Sequence, residues 1–365
     1  MITPTRTATP RRWVMLASEL YALAILRPVA AAAQARGDRV MWLATDAVAA
    51  HLSAQEARVG SSWALWRFRP QAVFATVNRI PPFLPGLQVQ LFHGLNLHKR
   101  DPAQGQFRIL GLFDLYCSHG PATTGPLRAL ALRHRDFTVS ETGWPKLDGI
   151  LPFPGPGAPA LRAAAGGRPV VMYASTFNEP LSQARACLPV LEALIARGDR
   201  YWLLTLHPMA PADLRRRYEA LSGPHARFVD SAQLTDLLQA ADVLVCDTSS
   251  VVEEFMLLDK PVITINHRQP QSCMLDLRSP HGIDGALAQV LADPAALRAA
   301  RHAYVNTLHP ARDGRSAERV LDAVEARLTG KGERAGRRVR PLLRRPWRSW
   351  KQWRTLLPGG SPRPA

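Results

Sequence analysis

Along residues 13–265, short runs of consecutive apolar residues alternate with stretches whose apolar positions recur at three and four. The first six runs are Trp13–Ala17, Val40–Ala44, Ala72–Val77, Val89–Phe92, Leu115–Ser118 and Phe137–Val139. Each is too short for a stable helix and too uniformly apolar for a strand with one wet face, so each reads as a strand buried on both sides. The alternation then breaks at LPFPGPGAPALRAAAGGR (151–168), which has linker chemistry. It restarts with a strand at 170–175, a helix over Leu181–Arg197, a strand at 201–206 and a helix over Ala212–Leu221. Further strands follow at 227–229, 243–247 and 261–265. Strands alternating with helices predict parallel sheets covered on both faces. The expectation is an α/β chain of two Rossmann-like domains facing a cleft. These are residues 1–150 and 169–330, with 151–168 between them and a separate tail at 331–365. No short-period repeat is present.

A length of 365 residues suits two such domains. The four cysteines, Cys117, Cys187, Cys246 and Cys273, are far apart, which argues against a Cys-based zinc or redox site and for a reducing compartment. No apolar stretch reaches the length of a transmembrane helix. Arg11 and Arg12 before an apolar run ending in VAAAAQA imitate a signal peptide, but Glu19 and Arg27 interrupt it. The segment reads instead as a first strand and helix.

In parallel sheets the informative residues follow the carboxyl ends of the strands. His93 directly follows VQLF and precedes Gly94, a place suited to proton transfer; a loop histidine capping a helix is the alternative. His207 follows YWLLTL in the second half, with the same alternative. The segment DVLVCDTSSVVEEFMLLDKPVIT places Thr248, Ser249 and Ser250 between a buried strand and a helix expected to run to about Leu258. Hydroxyls at a helix start can hold a diphosphate, whereas ordinary capping accounts for one of them. Glu253 and Glu254 lie a turn further on, either to hold a ribose hydroxyl or as part of a solvated face. In DGRSAERV (313–320), Asp313 and Gly314 form a turn and Ser316 is a candidate cap; capping and a substrate role both remain open.

Seven segments in order resemble the CDP-glycerol glycerophosphotransferase family, the teichoic-acid primases and polymerases of GT-B fold. They are LFHGLNLHKR, FDLYCSHGPATTGPLRAL, ETGWPKLD (141–148), VMYASTF (171–177), LLTLHP (203–208), CDTSSVVEEFMLLDKP (246–261) and DGRSAERV. Departures are Leu95-Asn96, where the family has Thr-Pro, and Thr248, where it has Tyr. The resemblance implies a GT-B-like fold and transfer of glycerol phosphate, or a related polyol phosphate, from a CDP-activated donor to a hydroxyl of a lipid-linked or glycan acceptor. By similarity, His93 would be the general base and His207 would bind the diphosphate. Ser249 and Ser250 would hold phosphate beside Thr248, and Glu254, aligned with a family aspartate, would take the glycerol or ribose side. No DxD-like cluster is seen, so neither an essential metal nor a cofactor is expected.

The net charge of +17 is concentrated at one end: residues 331–365 hold eleven Lys or Arg and one Glu. There Leu343, Trp347, Trp350, Trp353 and Leu357 share one face of a helix expected from Pro346, with Arg344, Arg345, Arg348 and Lys351 mainly on the other. That is the pattern of an interfacial helix on an anionic membrane. The expectation is a cytoplasmic enzyme held peripherally on the inner face of the membrane, with no nucleic acid as partner. Two rivals stay open: a GT-B glycosyltransferase or UDP-sugar 2-epimerase-like enzyme, and a nucleic-acid binder acting through the basic tail.

Overall fold

A computed structural model describes residues 9–81, 83–95, 107–150, 155–292 and 294–332, together with Leu356 and Pro358. The chain divides into two compact units.

Unit 1 comprises residues 1–93, 103–149 and 311–365. Its elements are β1 (Arg12–Ala17), α1 (Tyr21–Ala35), β2 (Arg39–Ala44), α2 (Asp46–Ala49), α3 (Ser62–Phe68), β3 (Ala72–Ala75), β4 (Leu87–Gln90), β5 (Leu115–Ser118), α4 (Pro121–His134) and β6 (Thr138–Glu141). The six strands form one parallel sheet in the order β2-β1-β3-β4-β5-β6. The N-terminal apolar run is thus a sheet strand: Trp13 to Ala17 are buried, and Trp13 Nε1 donates to Asp38 at 2.8 Å.

Unit 2 comprises residues 94–102 and 150–310. It contains α5 (Ala158–Ala163), β7 (Val170–Ser175), α6 (Ala184–Ala196), β8 (Tyr201–Leu206), α7 (Ala212–Glu219), β9 (Ala226–Phe228), α8 (Leu234–Ala240), β10 (Val243–Cys246), α9 (Val251–Met256), β11 (Val262–Ile265), β12 (Leu275–Leu277), α10 (Ile283–Leu291) and α11 (Ala295–Leu308). Its strands are also all parallel, in the order β12-β11-β10-β7-β8-β9. Two six-stranded parallel sheets with flanking helices make the fold GT-B-like.

Three expectations change. The linker contains α5, because Ala158 and Leu161 are buried and Arg162 ties it to Ala240 O at 2.9 Å. The half-buried edge strand β12 had too weak a pattern to be read. The last body helix, α12 (Ser316–Leu328), belongs to unit 1 and not to the 169–330 domain. Its apolar face (Ala317, Val320, Leu321, Val324) is buried, and Arg36, just past α1, reaches Asp322 at 2.8 Å. The expected tail helix lies outside the described residues; Leu356, near its end, is buried in the unit 1 core.

Candidate active site

In unit 2 the chain runs β7, β8, β9 to one side and then returns to place β10 on the other side of β7. The order reverses between β7 and β10, and the carboxyl ends of strands at such a reversal are the usual ligand position in an open parallel sheet. Register pairs Ala174 with Cys246 and Ser175 with Leu206. Asp247 therefore comes level with Ser175, and His207 with Thr176, along three adjacent strands.

Asp247 organises this edge. Its carboxylate accepts from the Ser175 hydroxyl, from the Thr176 N–H at 2.9 Å and from the Gln183 N–H at 3.0 Å, just before α6. Burial pushes its pKa up, against the opposing pull of those donors. The sequence carried a signal for it: a carboxylate ending an apolar run must find donors in the next loop. Phe177 is the second residue that pattern reading missed. Its ring lies 4.3 Å from the His207 ring, centroid to centroid, tilted by 35°.

His207 is half-buried, and its Nδ1 accepts the Met209 N–H at 3.1 Å. With that lone pair engaged, the neutral ring carries its proton on Nε2, which makes Nε2 a donor. A donor of this kind suits a phosphate oxygen. Thr248 is buried, and its hydroxyl accepts the Arg268 N–H at 2.9 Å, so it braces the loop after β11. Ser249 and Ser250 are half-buried at the start of α9, a helix of only six residues that ends before Leu258. Glu253 and Glu254 are 1% and 6% exposed, which removes the solvated-face reading. Behind this edge Lys260 donates to the carbonyls of Leu238, Gln239 and Ala241 at 2.7–2.8 Å, closing the C-terminus of α8.

In unit 1, β4 ends two residues earlier than expected, and the cause is Phe92 in the left-handed region at φ 58. A bulky residue there costs roughly 1–3 kcal/mol. The Phe92 ring is buried against Tyr116 and His119, with centroids 5.9 and 5.7 Å away, and Gln90 Oε1 accepts the Phe92 N–H at 3.0 Å. Burying Phe92 turns His93 outward: it is exposed, 5.5 Å from the Tyr21 ring. Among the described residues, nothing lies within 4 Å of where a Cβ on Gly94 would sit.

Asp313 and Gly314 also fall in unit 1. Asp313 accepts from Arg319 at 2.9 and 3.0 Å and from the Arg315 N–H at 3.2 Å, and the Arg319 guanidinium lowers its pKa. Gly314 takes φ 70, the turn that launches α12. The cap is not Ser316 but Asp148, which accepts the Ser316 and Ala317 N–H groups at 3.0 and 2.6 Å. Arg319 also donates to Thr142 O at 2.8 Å. The segments ETGWPKLD and DGRSAERV are thus two halves of one staple, in which Asp148 caps α12 and Asp313 holds Arg319. Among the described residues, no group of three His, Cys, Asp or Glu is placed to hold a metal ion.

Residues 129–269 match the model of the family described as CDP-Glycerol:Poly(glycerophosphate) glycerophosphotransferase. This chain is CDP-glycerol glycerophosphotransferase-like. The matched span includes β7 to β11, and with them His207 and the Thr248–Ser250 run. The teichoic acid glycerol-phosphate primase of Bacillus subtilis (strain 168) is 33% identical over 96 residues, a match spanning 26% of this chain and 24% of that protein. Among solved structures, the wall teichoic acid polymerase TagF matches with TM-score 0.64 at 14% identity, over 88% of this chain and 90% of that one. A putative UDP-N-acetylglucosamine 2-epimerase from Listeria monocytogenes matches with the same TM-score at 13% identity, over 90% and 99%. At these identities the likeness concerns the fold, and the fold alone does not separate transferase from epimerase.

Proposed function

We propose that this glycerophosphotransferase-like chain moves glycerol phosphate, or a related polyol phosphate, from a CDP-activated donor to a hydroxyl of a glycan or lipid-linked acceptor in cell-surface polymer synthesis. The observation that carries the reading is the family match over residues 129–269, which encloses the unit 2 edge holding His207. The acceptor oxygen attacks the phosphorus nearest the glycerol. The bond from that phosphorus to the bridging oxygen of CMP breaks, CMP departs with the electron pair, and the acceptor proton passes to His93. Such assistance is worth ~10²–10⁴-fold. His207 Nε2–H, Ser249 and Ser250 bind the diphosphate, and Glu254 lies on the glycerol or ribose side.

Attachment to the inner face of the membrane through residues 331–365 completes the proposal. Among the described residues, no helix is long and apolar enough to cross a membrane. Incubation with CDP-glycerol and, separately, with UDP-N-acetylglucosamine tests the activity. CMP release with glycerol phosphate added to an acceptor is the expected result. Sugar epimerisation or UDP release without CMP release would replace this reading with a rival one.

A further inference from the structure

Helix α3 turns two large apolar side chains into solvent. Trp63 is 63% and Trp66 is 66% exposed, while Leu65 and Phe68 on the other side enter the core. The helix is fixed at both ends. Ser61 Oγ accepts the Ala64 N–H at 3.1 Å, and Arg69 terminates it in the left-handed conformation. The tryptophans are therefore held in place and not carried on a loose loop. They border a shallow groove of about 750 Å³ together with Arg12, Arg39, Arg67 and Arg69, and among the described residues no carboxylate lines it. The Arg67 guanidinium lies 5.3 Å from the Trp63 ring centroid, and that of Arg69 lies 5.7 Å from the Trp66 centroid. Arg12 and Arg39 begin β1 and β2, so the patch surrounds the amino ends of these strands. His93, by contrast, follows the carboxyl end of β4, and the patch is no part of the candidate site.

We propose that this tryptophan–arginine face of α3 docks unit 1 onto an anionic lipid surface. The charge is complementary: four cations gathered without a carboxylate repel one another unless phosphates lie among them. Tryptophan suits the headgroup depth, where an apolar ring and a polar N–H are both accommodated. Arginine stacked on the ring keeps its guanidinium at the same depth as lipid phosphate. A nucleic acid fits less well, because one face of each indole is already covered by its own arginine and base stacking needs open faces. This contact is separate from residues 331–365.

The test uses the full chain and two double variants, Trp63→Ser/Trp66→Ser and Arg67→Gln/Arg69→Gln. Sedimentation is measured with phosphatidylglycerol/phosphatidylcholine vesicles, with phosphatidylcholine vesicles and with oligo-dT. The arginine variant should lose roughly 25-fold in partition onto the anionic vesicles, about fivefold per arginine. The tryptophan variant should lose binding as well, and with it part of the quenching of protein fluorescence by brominated lipid. Any contribution from the tail is common to wild type and variants and cancels in the ratio. Thermal melting should match the wild type, and so should CMP release with a water-soluble acceptor. Failure of the transferase reading would appear in CMP release and not in vesicle partition. Unchanged partition in both variants would overturn the docking surface. Loss of oligo-dT binding with vesicle partition intact would assign the patch to nucleic acid instead.

Discussion

His93 and His207 each close a buried parallel strand, yet the chain fixes them by opposite means. On unit 1, the residue before the histidine is strained and buried, which leaves the imidazole exposed beside Tyr21. On unit 2, the histidine itself is fixed, with Nδ1 bonded to Met209 N–H and the ring against Phe177. The first arrangement leaves the ring exposed, as the proposed general base requires. The second removes one nitrogen from proton exchange and offers the other as a set donor. Equal positions at strand ends therefore do not imply equal roles.

The largest expected effect separates the two directly. His93→Ala should lower turnover by ~10²–10⁴-fold while leaving CDP-glycerol affinity within about twofold. His207→Ala should weaken CDP-glycerol binding, and the Ser249/Ser250 double alanine variant should weaken it too. Calorimetric titration beside CMP-release kinetics reads both quantities. The same pattern in both histidine variants would erase the distinction.

Next in size is the framework behind each histidine. Asp247→Ala leaves the buried Thr176 N–H and the half-buried Gln183 N–H without their acceptor and removes the carboxylate bonded by Ser175, and should cost about 2–4 kcal/mol. Gln90→Leu releases the Phe92 N–H and the Val77 carbonyl, and should cost about 1–2 kcal/mol. Urea unfolding, with hydrogen exchange to localise the loss to each unit, measures both. A costlier Gln90 variant would make the unit 1 edge the more tightly built one.

A pH test probes unit 2 from behind its edge. Burial lowers the Lys260 pKa from 10.5 to about 8. Below that value the ammonium is charged whether the chain is folded or not, and its desolvation opposes folding in full. Between about pH 8 and 10.5 the unfolded chain binds more protons, so stability rises with pH across this window. Lys260→Met lacks this dependence. The difference in stability between wild type and variant should shift by about 2 kcal/mol in favour of wild type from pH 7.5 to 10. A flat difference would show that the three carbonyls hold the ammonium at its ordinary value. The smallest effect belongs to Phe177→Leu, which should weaken donor binding only a few-fold by loosening the His207 ring; an unchanged affinity would leave Met209 N–H as the main restraint.

Much of this was legible from local pattern. Strands buried on both faces read as apolar runs, and the two histidines and the Thr248–Ser250 run were found because strand ends are where a parallel sheet exposes its residues. What stayed hidden depended on partners distant in sequence. Asp148 caps a helix 168 residues further on, and neither segment carries a mark of the other. The buried state of Glu254 was equally unreadable, since an acidic pair early in a helix looks like an exposed face until α9 is seen to be packed. Phe92 in a left-handed conformation is set by the pull of the core on its ring, and no propensity of phenylalanine announces it.

The staple at Asp148 has a consequence for biosynthesis. Unit 1 is interrupted: residues 150–310 are made after most of it and before α12. A ribosome adds about 5–20 residues per second, so roughly ten to thirty seconds pass before Ser316 emerges to meet Asp148. During that interval the surface of α1 that packs against α12 is open to water, and a nascent chain halted there is a substrate for chaperones. The unit begun first is therefore the last to be completed.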